Sequence, residues 1–132
     1  MQYKNILLYL DQGASNPERV NTAVAMAEQH GAQLSGVVIH ALPTTRMMHK
    51  LGLGDADAMM KEARKEADAV IESFSGQMTE RGISFDTRTI ECKESAAPDK
   101  LARMARNFDL CILRQANPDK PNADFITDLS EG

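Results

Sequence analysis

Glycine drops out of this sequence after Gly82 and returns only at Gly132, so the C-terminal part offers no glycine-rich loop. Such loops cradle phosphates on backbone N–H groups. Cysteine is nearly as scarce. Cys92 and Cys111 are too few for a disulfide framework, which fits a reducing cytoplasm. No apolar run approaches the roughly 20 residues that cross a bilayer. The start of the chain has one Lys before the short apolar run Ile6–Leu10 and no small-residue cleavage pattern, so it does not read as a secretory signal. Positive charge is not in surplus either. The formal net charge of −4 argues against a broad nucleic-acid or anionic-membrane surface. Three His and two Cys are scattered without a recognised metal-ligand spacing.

At 132 residues the chain suits one domain with a real core. Ile6-Leu7-Leu8-Tyr9-Leu10 is a short, unbroken apolar run that stops at Asp11. Such a run reads as a strand covered on both faces, as in a parallel sheet. An acidic residue at the carboxyl end of that strand lies where open α/β sheets bind ligands.

The elements then alternate. A turn around Gly13 leads into a helix, capped either by Asn16 with Pro17 in the first turn or by Ser15 with Glu18 closing a capping box. Val20, Ala23, Val24 and Ala27 make its stripe, and Gly31 its C-terminal cap. Leu34–His40 is a second strand with a β-branched centre. Residues 43–54 read as an irregular connection, and Asp55 or Asp57 can cap the long helix that follows. Its stripe is Met60, Ala63, Ala67, Val70, Ile71, Phe74 and Met78, with Lys61, Glu62, Arg64, Lys65, Glu66 and Asp68 on a solvated face.

Gly82 ends that helix. Ile83–Glu91 begins a third strand whose alternation of Ile83, Phe85, Thr87 and Thr89 with polar residues suggests a sheet edge. A helix from about Pro98 turns Leu101, Met104, Ala105 and Phe108 inward, and Leu110–Leu113 is a fourth strand. The order βαβαβαβ predicts an α/β three-layer sandwich with a parallel sheet and right-handed crossovers. From Arg114 to Asn122 the chain is polar. Phe125, Ile126 and Leu129 read as the first turns of a helix, so the expected division is an α/β domain over 1–114 and a loop with a truncated helix over 115–132.

Taken in order, several pieces resemble the universal stress protein (UspA-like) family. They are the apolar strand ending in Asp11, the helix ending Glu28-Gln29-His30-Gly31-Ala32, and the strand ending His40-Ala41-Leu42-Pro43. Gly82-Ile83 before the third strand and Asp109-Leu110-Cys111-Ile112-Leu113 complete the pattern. The resemblance spans Tyr3 to about Leu113. It implies an adenine nucleotide alpha hydrolase-like, Rossmann-like fold with strand order 3-2-1-4, the fifth strand that usually follows being absent here. The chain would then be a first domain of a tandem protein or a C-terminally shortened one.

In members of that family that bind ATP, the Asp after strand one and the residue after the strand-two His contact adenosine. Here these are Asp11, with neighbouring Gln12, and Ala41. The phosphates are held by G-x2-G-x9-G-[ST] after strand four. This sequence has Arg114-Gln115-Ala116-Asn117 there instead. Side chains fill the space that glycine leaves for backbone amides, and Pro118 removes a donor. Arg114, next to Gln115, is the one group placed to offer a charge-assisted contact in exchange.

Each candidate has a plainer reading. Asp11 can cap the strand-to-helix turn rather than touch a ligand, and both roles can coexist. His40 and Cys92 come to the same carboxyl edge, where with Asp11 they could make a thiolate nucleophile; a structural His and an ordinary thiol are the simpler assignment. Cys111 reads as core. In residues 43–54, Arg46, His49 and Lys50 could form a lid over an anion, or the segment could merely connect.

The expected function is a non-catalytic stress-response domain in the cytoplasm, acting by dimerisation and small-ligand or nucleotide sensing. ATP or AMP is the possible ligand, with ATP binding weak or lost. The fourth strand, if an open edge, would pair with a second copy or a second stress-protein domain. No nucleic acid or membrane partner is expected. The competing reading is an ATP- or AMP-binding domain with nucleotide hydrolase activity, and a third is a thiol switch at Cys92.

Overall fold

The computed structural model describes residues 3–114 and 124–128. Its strands are β1 (Asn5–Leu10), β2 (Gln33–Leu42), β3 (Phe85–Lys93), β4 (Leu110–Arg114) and β5 (Asp124–Asp128). Its helices are α1 (Asn16–His30), α2 (Thr45–Leu51), α3 (Leu53–Arg81) and α4 (Ala97–Ala105). One sheet holds all five strands in the order β3-β2-β1-β4-β5. The first four are parallel, with Ile6 opposite both Leu34 and Leu110, and Leu34 opposite Phe85. The expected 3-2-1-4 α/β sheet is therefore present.

The expected missing strand and truncated helix are not. Residues 124–128 form β5, antiparallel to β4, with Arg114 opposite Asp124 and Leu110 opposite Asp128. Phe125, Ile126 and Thr127 are strand formers, and a helix of two turns has little to pay its nucleation cost. The row of unpaired N–H and C=O groups along β4 offers the better alternative. β4 is therefore paired on both sides and is not the open edge through which a second copy was expected to pair. Leu129 and residues 115–123 lie outside the described residues.

Alternation along β1 explains its continuous apolarity. Ile6, Leu8 and Leu10 face one core with Val20, Ala23, Val24 and Ala27 of α1 and Phe74 and Met78 of α3. Leu7 faces a second core with Val37, Ile90, Cys92, Cys111, Ala105 of α4 and Phe108. The three layers are thus α1 and α3, the sheet, and α4. β3 lies at the edge as expected, but its buried residues are Ile90 and Cys92 on the α4 side, with Phe85 packed towards α3.

The predicted C-caps hold. Gly31 and Gly82 adopt φ of 63° and 69°, and their N–H groups donate to carbonyls of the preceding turn. Residues 43–54, expected to be irregular, instead contain α2. Thr44 caps it, its hydroxyl accepting from the Met47 N–H, and Gly52 at φ 83° breaks it from α3, which starts before Asp55 and Asp57. Among the described residues no helix is long and apolar enough to cross a membrane.

Gly36 sets the distance between α3 and the sheet. A Cβ there would stand 2.7 Å from Leu10 Cδ1 and 2.8 Å from Phe74 Cε2, inside contact distance of a ring that is itself locked in the core. Gly36→Ala should cost about 1–3 kcal/mol, read as a lower urea midpoint with an unchanged slope. A neutral result would mean that α3 is not packed this closely.

Candidate functional site

β1 and β2 do not end together. β1 stops at Leu10 opposite Val38, whereas β2 continues to Leu42 beside β3. The step leaves a notch at the carboxyl edge, closed on one side by α3. A cavity of about 230 Å³ occupies it, lined by Tyr9, Asp11 and Gln12 from the end of β1, Val38, Ile39 and Ala41 from β2, and Ala63, Glu66, Ala67 and Val70 from α3. A second cavity, of about 240 Å³, shares Asp11, Gln12 and Val70 with it and continues past Asn16 to Ser73 and Gln77.

Of the candidate ligand contacts, Asp11, Gln12 and Ala41 come together here. Arg114 ends β4 two residues beyond Ile112, the partner of Leu8, and so reaches the same edge of the sheet on the other side of β1. Gln115 lies outside the described residues.

Asp11 is heavily engaged. Its Oδ1 accepts from the Gly13 N–H at 2.9 Å and from Arg19 Nη2 at 3.1 Å, while its own N–H donates to Asn16 Oδ1 at 3.0 Å. The turn-capping role is thus realised. Arg19, which the sequence reading passed over, has a fully buried side chain. It also donates from Nη1 to the Tyr9 carbonyl at 2.9 Å and from Nη2 to Ser15 Oγ at 3.1 Å, and its guanidinium lies 5.4 Å from the Tyr9 ring centre. Ser15 occupies the N-cap of α1, but its hydroxyl accepts from Arg19 and makes no capping bond to the helix backbone. The signal for Arg19 was its position one turn before Ala23, on the apolar stripe and not opposite it.

Glu66 was counted among the solvated charges of α3. It is exposed, yet as the neighbour of buried Ala67 it reaches the cavity wall. The other charges of that face, Lys61, Glu62, Arg64, Lys65 and Asp68, are exposed and line neither of these two cavities.

The nucleophile grouping is not assembled. His40 is buried towards α3, its Nε2 3.3 Å from the Met60 carbonyl and its Nδ1 3.8 Å from Glu91 Oε1. Cys92 is buried in the core on the α4 side of the sheet. Burial pushes the Cys111 thiol up to about 11, and its Sγ lies 3.9 Å from the Ala105 carbonyl. Arg46, His49 and Lys50 are exposed on α2, and none of them lines either cavity. Among the described residues no group of His, Cys, Asp and Glu could hold a metal ion.

No family model matches the chain, and no curated protein does. Among solved structures it is similar to a protein of the universal stress protein family from Burkholderia pseudomallei. That match has 27% identity and a TM-score of 0.66, covering 80% of this chain and 74% of the other. It is also similar to the universal stress protein UspA from Lactobacillus plantarum, at 17% identity and a TM-score of 0.67, covering 92% of this chain and 83% of that one. The second likeness shows the fold. The first carries the resemblance at the level of sequence as well.

Two outcomes follow from the buried groups. Removing one partner of a buried ion pair strands the other charge, so Arg19→Met should destabilise by about 3 kcal/mol. Asp11→Asn combined with it should cost less than the sum of the two single changes in a denaturant cycle; strict additivity would mean the pair is not coupled. Separately, Cys111 should resist iodoacetamide at pH 8 in the native protein and react in urea. Because its proton is held more tightly in the folded state, its contribution is present below the ordinary thiol range. It is lost as pH climbs towards about 11, so stability should fall over that window. Rapid native alkylation of Cys111 would contradict the burial.

Proposed function

We propose that this chain is a universal stress protein domain that works without bond chemistry. It takes a small ligand at the carboxyl edge of its sheet and associates with a second copy or a second domain of the same kind in the cytoplasm. The observation that carries the ligand half is the notch beside β1, where Asp11, Gln12 and Ala41 line one cavity at the position open α/β sheets use for ligands. At about 230 Å³ it lies below the usual range for drug-sized ligands, roughly 300–1,000 Å³. The body of an adenine nucleoside suits it better than a whole triphosphate.

Triphosphate binding is weak or lost on this reading. The chain has no glycine between Gly82 and Gly132 to bring amides against phosphate oxygens, and among the described residues no Lys, Arg or His lines either cavity. Arg114 and Gln115 are the groups left to meet any phosphate. Hydrolysis has little support, since His40 and Cys92 lie on opposite faces of the sheet. Association draws support from the ends of the sheet, because β3 lies at one edge and β5 at the other. The acidic balance disfavours nucleic acid and anionic membranes as partners.

Native mass spectrometry of the purified full chain, with and without added adenosine, AMP or ATP, reads both halves at once. The expected spectrum is a dimer that carries adenosine or AMP and retains ATP poorly. Micromolar retention of ATP, or a monomer at high concentration, would overturn the corresponding half.

A further inference from the structure

The two carboxylates on the wall of the first cavity are not equivalent. Asp11 meets the buried guanidinium of Arg19 at 3.1 Å, and that cation is in turn fixed by the Tyr9 carbonyl and Ser15. The Asp11–Arg19 unit is therefore close to neutral as seen from the cavity. Glu66, in contrast, has no ion-pair partner among the described residues and is exposed at the mouth. The rest of the wall includes Val38, Ala63 and Val70, which offer apolar surface to an uncharged body, and Gln12, whose amide offers both a donor and an acceptor.

We infer that Glu66 is the specificity-determining residue of this cavity, admitting the phosphate-free form of a ligand in preference to its phosphorylated form. The inference rests on the reading of the notch as a ligand site and names the charge class that site selects. Glu66 is the charge of α3 that lines this wall, whereas Lys61, Arg64 and Lys65 turn to a neighbouring surface, so a phosphate carried on a ligand seated in the cavity meets the Glu66 carboxylate first and is repelled. A neutral body pays no such penalty, and an amino group gains an acceptor. Arg19 makes this selection possible in two ways. It cancels Asp11, which would otherwise blur the discrimination, and it is itself consumed, so it offers a phosphate no cation. Glu66 holds this position by helical spacing, because it precedes Ala67 and follows Ala63 by three residues on the side of α3 that meets the notch.

The test compares adenosine with AMP, a pair differing by one phosphate, by calorimetric titration of the full chain at low and at high salt. The wild-type chain should favour adenosine, and the preference should shrink as salt rises. Glu66→Gln should leave adenosine binding nearly unchanged and narrow the preference by about two- to fivefold, the scale of one exposed charge. Glu66→Lys should reverse it. Glu28→Gln, an equal change in net charge near the C-terminal end of α1, at the amino side of the sheet and far from the notch, should not alter the ratio. An unchanged ratio in both Glu66 variants, with adenosine still bound, would overturn the role of Glu66 and leave the ligand site standing. Failure of both probes to bind the wild-type chain would instead remove the ligand site and this inference with it.

Discussion

The contact between the Arg19 guanidinium and the Asp11 carboxylate fixes the local structure on which the carboxyl edge of the sheet depends. It ties the first turn of α1 to the end of β1, and through Ser15 and the Tyr9 carbonyl it leaves the buried cation well bonded. An unpaired charge at that depth would be ruinous, whereas a paired and fully hydrogen-bonded one is tolerable. The position of α1, the shape of the 11–13 turn and the electrostatic character of the notch are thus set together. A residue that reads from the sequence as a ligand contact is in the structure first a structural ion-pair partner.

Much of the fold was legible because its signals were redundant. The unbroken run from Ile6 to Leu10, the stripe from Met60 to Met78, and the glycines at 31 and 82 each pointed to an element, and each agreed with its neighbours. Three features were not legible. The strand 124–128 depends on an available edge of β4, a tertiary fact invisible to local pattern. Helix α2 rests on a single Thr cap and a glycine break within a segment of mixed composition. Arg19 was hidden by the rule that charged residues are exposed, a rule that fails when a carboxylate and two further acceptors are waiting. The site divided in the same way. Asp11 reads from the end of its strand and Ala41 from the family resemblance, while Glu66 is hidden among the charges of α3 because one residue of helical rotation separates a wet face from a cavity wall.

Fold and function separate along the same line. The sheet order and helix layers match solved universal stress proteins over most of the chain. The carboxyl edge of this sequence has side chains where the resemblance implies glycines and an internal salt link at its first acidic residue.

The direction of β5 has a structural corollary. A fifth strand running parallel to the others would require its connection to leave the carboxyl end of β4 and cross the whole sheet before re-entering at the opposite end. Here Arg114 and Asp124 stand opposite each other in the register, so β4 ends and β5 begins at the same rim of the sheet, the one that holds the notch. That rim therefore gathers the ends of the four parallel strands and the start of β5, so a change at Arg114 or Asp124 falls on the notch's side of the sheet, whereas one at Leu110 or Asp128 falls at its opposite side.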